Sequence, residues 1–229
     1  MPIVTYLAMT AAEARAFHTD HMGWMSCLFS PYATGITNLP DSLPPESLLI
    51  LSDLMPIQGH DPVLVAQQLT QCVQQLNCCG VLLDFQRPDN PQAQAMAQAL
   101  CTLPFPVGVS HLYASGLSCP VFLPPCPPHQ AAADHLLPWK DRPIWLELST
   151  EQICLTVTQD GCSEHPLCDE EALPYRCPEL SCHFAQNYSP EKATFRLGRT
   201  EEDLNALLDQ AEKFGVTKAI GLFQEFAKH

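Results

Sequence analysis

The chain has 229 residues, 46% of them hydrophobic and 16% charged, enough to bury a substantial core and too apolar for a disordered segment. Eleven Lys and Arg stand against 25 Asp and Glu, a net charge of −14 that repels nucleic acid phosphates and anionic lipid head groups, so neither is expected as a partner. Twelve Cys in this length do not make a disulfide-dense mini-scaffold, and most are expected to be buried, reduced thiols.

In chain order, short apolar runs rich in branched residues read as buried strands: Ile3 to Met9, Trp24 to Phe29, Leu48 to Leu51, Val81 to Phe85, Val107 to Val109, Val121 to Leu123, Ile144 to Leu148 and Ala219 to Phe223. Near-continuous apolar runs are what strands of a covered parallel sheet look like. Between them, Asp61-Pro62 and Asn90-Pro91 each pair an N-cap with proline at the first helical position. A weaker helix is expected over His129 to Leu137, and the prolines of Cys119 to Pro128 enforce an extended path. Thr200 to Asp203 reads as a capping box, and Gly215 stops the helix that follows. Alternation over Gln152 to Thr158 and the turn at Gln159-Asp160-Gly161 predict a hairpin inserted at about 151–180. The pattern predicts one domain over 1–229, a small (β/α)8 TIM-type barrel with irregular or missing helices. An open doubly wound sheet is the alternative.

In parallel α/β folds chemistry gathers at the carboxyl ends of strands. Asp53, Asp84 with Gln86, His111, Glu147 and Gln224 with Glu225 all fall there. Cys79-Gly80-Val81-Leu82-Leu83-Asp84-Phe85-Gln86 resembles the signature strand of family 18 glycoside hydrolases, Asp-Gly-x-Asp-x-Asp-x-Glu, in degenerate form. Gly80 and Asp84 match, while Cys79, Leu82 and Gln86 depart from the pattern. The resemblance implies a chitinase-like barrel in which Asp84 would steady the substrate's N-acetyl group and position 86 would donate a proton to the glycosidic oxygen. Gln has no titratable proton near neutral pH, so this role is lost at that position. The final strand, which in the family ends near a tryptophan under the sugar, here has Phe223 or Gln224. Leu82, Asp84 and Gln86 are expected to point into the barrel together.

Three functions follow from these residues. The first is a barrel without hydrolytic activity that binds a carbohydrate or polyol through Asp53, Asp84, Gln86, His111, Trp145, Glu147, Gln224 and Glu225. The second is an enzyme of unassigned reaction using Asp53, Asp84, Glu147 and Glu225 as acid, base or ligand. The third is a scaffold or interaction protein. Tyr32, Tyr113, Trp139 and Trp145 are the aromatic rings available for stacking, with core packing the commoner use of Trp145. Cys162, His165, Cys168, Cys177, Cys182 and His183 have the donor types for zinc but not the regular spacing of paired Cys-x-x-Cys knuckles, so no metal and no cofactor is assigned. No basic n-region precedes the first apolar stretch and no apolar run nears ~20 residues, from which a cytoplasmic protein with no membrane partner is expected. The oligomeric state is not legible.

Overall fold

The computed structural model describes residues 2–167 and 172–227. Eight parallel strands close into a ring: β1 (Val4–Met9), β2 (Met22–Phe29), β4 (Leu48–Ser52), β5 (Gly80–Asp84), β6 (Val107–Ser110), β7 (Val121–Leu123), β8 (Ile144–Leu148) and β14 (Val216–Leu222). β1 pairs in parallel with both β14 and β2, which closes the ring and removes both sheet edges. All eight apolar runs of the sequence are these strands. A two-residue strand β3 (Ile36–Thr37) adds to β2 in antiparallel fashion.

Helices cover the barrel unevenly. α2 (Pro62–Leu76) and α3 (Pro91–Leu100) begin as the sequence predicts, with Asp61 and Asn90 accepting N–H bonds from the first turn. α5 (Glu201–Ala211) has the expected box, with Thr200 and Asp203 bonding reciprocally. The weak helix is α4 (Ala132–Leu136), extended by a 3-10 turn over Leu137–Trp139. Two short helices carry no sequence expectation: α1 (Ala11–Ala16), capped by Thr10 and Glu13, and α6 (Phe223–Phe226). No helix lies between β2 and β4 or between β6 and β7.

The insertion is larger than a hairpin. It forms a separate five-stranded antiparallel sheet in the order β10 (Gly161–Pro166), β9 (Ile153–Thr158), β13 (Lys192–Gly198), β12 (Cys182–Tyr188), β11 (Tyr175–Cys177). It thus runs to Gly198 rather than ending near 180, and its own small core gathers Ile153, Cys182 and Leu197. Arg199, which is buried, ties it to the barrel by donating to the carbonyls of Ser181, Leu180, Cys126 and Pro127.

Alternation along the ring sends Tyr6, Ala8, Leu48, Ile50, Leu82, Phe122, Trp145 and Ile220 into one interior cluster. The opposite faces pack under the helices, as Leu49, Leu51, Val81 and Leu83 do against α2 and α3. Trp145 is 1% exposed and owes its place to Gly108, where a Cβ would come within 2.2 Å of the indole. At the amino-terminal end of the strands the Lys218 ammonium closes the barrel, donating to the Tyr6 hydroxyl at 2.9 Å and lying 5.5 Å from the Trp145 ring centre.

Gly108→Ala is therefore an overpacking substitution at the centre of the interior. We expect it to destabilise the fold by about 1–3 kcal/mol, which thermal denaturation should register as a fall in Tm of roughly 3–10 °C for a chain of this size.

Candidate functional site at the barrel mouth

Two carboxylates come together at the carboxyl ends of the strands. Asp84 is the last residue of β5 and Glu147 the inward-facing residue before the end of β8. They line one cavity with Ala8, Met25, Ile50, Leu82, Phe122, Ile220 and Leu222. The cavity measures about 40 Å³, room for water but far below the ~300 Å³ at which small-molecule pockets begin. Ala8, Met25, Ile50, Phe122, Ile220 and Leu222 are the lining residues that the sequence did not assign to the site; the strand alternation that places Phe122 beside Trp145 was the available signal.

The walls of this cavity are apolar, and that governs the charges. Burial pushes the Glu147 carboxyl up to about 7, and the like charges of Asp84, Glu225 and Glu151 push the same way. Burial also raises Asp84; the amide donated by Gln86 opposes this, and the charge of Asp53 adds to it. The pair can thus hold one proton near neutral pH, the condition for a carboxyl group that donates rather than accepts.

Gln86 lies just beyond the strand. Because β5 stops at Asp84 and the chain turns, Gln86 is exposed at the rim instead of buried in line with Leu82 and Asp84. Its Nε2 donates to Asp84 Oδ1 at 3.0 Å. The turn is set by Asp53, 3% exposed, whose Oδ1 and Oδ2 accept the backbone N–H groups of Gln86 and Arg87, each at 3.0 Å. Those bonds occupy both oxygens with backbone, so Asp53 supports the site by fixing this turn.

Glu225 and Gln224 stand on α6, not at the end of a strand as the sequence suggested. Glu225 Oε2 accepts from Ser149 Oγ at 2.9 Å and from the Thr150 N–H at 2.7 Å, fastening α6 to the exit of β8. Gln224 is exposed and bonds Glu13 of α1. Phe223 packs on Phe17 with ring centres 4.8 Å apart. No aromatic ring of α6 lines the cavity.

The remaining candidates lie elsewhere. His111 follows β6, half-buried and with its pKa lowered by burial, and its charge acts on His135. Trp145 lies below Glu147 in the interior, and Tyr113 is buried, with its hydroxyl donating to the Arg87 carbonyl. Tyr32 is 96% exposed. The cysteine and histidine set does not converge: Cys162 is on β10, and β9 and β13 separate that strand from β12, which carries Cys182 and His183. Three strand spacings, roughly 14 Å, are far too wide for one zinc ion. Cys168 lies outside the described residues. His183 Nδ1 instead pairs with Asp203 at 2.6 Å. Among the described residues no group of three or more His, Cys, Asp and Glu is arranged to hold a metal, and no helix is long and apolar enough to cross a membrane.

The raised Glu147 has a consequence for stability. The folded chain keeps this proton between the ordinary carboxyl value and about 7, where the unfolded chain has lost it, so stability falls as pH rises through that window. Glu147→Gln removes the penalty. We expect the variant to exceed the parent above about pH 8 by on the order of 3 kcal/mol and to converge with it near pH 4, measured by urea unfolding across pH.

No family model matches the sequence, and no curated protein matches it. Solved structures do match in three dimensions. The chitinase-like agglutinin from Robinia pseudoacacia superposes with a TM-score of 0.60 at 9% identity, over 94% of this chain and 93% of that one. The spore cortex-lytic enzyme SleL of Bacillus cereus gives 0.59 at 9% identity, over 96% and 70%. A glycoside hydrolase family 18 N-acetylglucosaminidase from Paenibacillus barengoltzii gives 0.57 at 10% identity, over 96% and 94%. At these identities the likeness shows the fold alone: the chain is built as a TIM barrel similar to those of these chitinase-like structures.

Proposed function

We propose that this protein is a family 18-like barrel that binds a carbohydrate at its mouth without hydrolysing it. The observation that carries this reading is the Gln86 amide. At the position where the resemblance calls for a proton donor, a group that cannot give up a proton near neutral pH donates a hydrogen bond to Asp84 at 3.0 Å. The likeness to an agglutinin of the same fold supports binding as the retained property. Because only about 40 Å³ is enclosed between the carboxylates and the interior, the sugar would lie across the open rim, touching Gln86, Asp84 and Glu147. Such a shallow contact gives weak affinity, in the millimolar range, with about −4 kcal/mol of binding free energy.

Titration with N-acetylglucosamine oligomers, followed by calorimetry and tryptophan fluorescence, tests this. Saturable binding in the parent that is weakened at least tenfold by Asp84→Asn with Glu147→Gln supports the assignment. No binding at any oligomer length transfers the protein to a scaffold role.

A second reading is favoured by one observation, the Glu147 carboxyl raised to about 7 beside Asp84. In it Glu147 is a general acid and the protein is an enzyme. The two readings differ in an aryl chitobioside assay. Under the first, the parent is inactive and Gln86→Glu, which places a carboxyl next to Asp84, gains measurable hydrolysis. Under the second, the parent is active and Glu147→Gln loses ~10²- to 10⁴-fold in rate.

A further inference from the structure

The crossover from β6 to β7 has no helix to hold it. Residues 111 to 120 pass along the barrel as irregular chain, and such a segment needs other restraints to keep its place. Two cysteines meet at its lower end. Cys101 is the C-cap of α3, and Cys119 lies two residues before β7. The Cys101 thiol donates to the Cys119 sulfur at 2.7 Å, so the two sulfurs are in direct contact. Both are free thiols. Cys119 is 7% exposed and Cys101 is partly exposed.

The surroundings suit sulfur chemistry. Arg142 donates to the carbonyls of Ala114 and Leu117 at 2.9 and 2.6 Å, which places its guanidinium within the same crossover. The thiol donated by Cys101 holds the Cys119 sulfur toward its thiolate form, and the Arg142 charge acts in the same direction. A nucleophilic sulfur therefore has a second thiol in contact and a cation nearby. Neither group takes part in the mouth site, which is at the opposite end of the strands.

We infer that Cys101 and Cys119 form an oxidation site for a peroxide, closing a disulfide that clamps the helix-free crossover to the end of α3. The buried position favours a small oxidant. The Cys119 thiolate attacks one oxygen of hydrogen peroxide, the O–O bond breaks, and the products are a sulfenic acid at Cys119 and, once a proton is taken up, water. The Cys101 sulfur then attacks the Cys119 sulfur, the S–O bond breaks, the S–S bond forms and a second water leaves. In total the two thiols give up two electrons and two protons, and one peroxide becomes two waters. The closed loop joins residues 18 positions apart in sequence and constrains the unfolded chain accordingly.

The test uses the whole chain carrying Cys162→Ser, which removes the exposed thiol among the described residues, one that could link molecules. The reduced protein is treated with stoichiometric hydrogen peroxide, remaining thiols are alkylated, and peptides are mapped by mass spectrometry without reduction. The peptides holding Cys101 and Cys119 should be joined, lighter by two hydrogens. Tm should rise by about 5–10 °C, reversibly on adding a phosphine reductant. A Cys119→Ser chain should show neither effect. Recovery of Cys101 and Cys119 as separately alkylated thiols, or of either one joined to a different cysteine, overturns the site. A joined peptide with unchanged Tm overturns the clamp. The mapping in the Cys162→Ser background decides the matter even if Cys119→Ser fails to fold.

Discussion

Ring closure through β1 is the constraint on which the rest of this structure depends. Once β1 pairs with β14 on one side and β2 on the other, every second side chain of eight strands must enter one enclosed interior. There is no outer edge to which an ill-fitting residue can move. Trp145 can be accommodated only because β6 offers Gly108 opposite, and the indole in turn fills the space beneath Glu147. The small cavity at the mouth is a direct result of that filling. Trp145, Phe122, Met25 and Ile220 fill the interior beneath the two carboxylates.

The same closure sorts the acidic residues into two uses. Asp53 uses both oxygens on backbone donors and Glu225 uses its Oε2 on backbone and hydroxyl donors, fixing the turn at Gln86 and the position of α6. Asp84 and Glu147 face the apolar cavity with fewer partners, and burial raises both. A carboxylate that is fully hydrogen-bonded to main chain is a structural part, whereas one left against hydrocarbon retains a proton and with it chemical potential for donation. Proximity to the mouth alone does not distinguish these groups; their hydrogen bonds do.

This is also where reading the sequence met its limit. The strands were legible because branched apolar runs broken by turn residues have few alternatives in a covered parallel sheet, and α2, α3 and α5 because Asp61-Pro62, Asn90-Pro91 and the Thr200 box mark their starts. α1 was not, since six residues are too few to establish a helical period. Asp84 and Glu147 were legible as strand-end carboxylates. The division of labour between them and Asp53 or Glu225 was not, because it rests on amides brought in by turns 33 and 75 residues away. The cysteine and histidine cluster fails for a related reason: nearness in sequence between Cys162 and Cys182 is undone when β13 is threaded between β9 and β12.

A barrel with few helices must satisfy its crossovers by other means. Irregular chain leaves carbonyls that a helix would have bonded internally, and buried ones require donors. Long side chains supply them here. Arg142 serves Ala114 and Leu117 in the β6 to β7 crossover, Arg199 serves four carbonyls where the inserted sheet meets the barrel, and the Trp24 indole serves Asn38 where no helix precedes β4. Each replaces several short-range main-chain bonds by a few long-range bonds to one side chain. That exchange makes the crossover's position depend on a single residue, so loss of one arginine would release a whole connection where loss of one helical residue would release a turn. Arg87 does the same at the rim, where it donates to the Leu54 carbonyl, so three arginines in a chain with only 11 Lys and Arg are committed to holding loops. The same scarcity of helices that leaves these connections irregular thus decides where the few arginines of the chain are used.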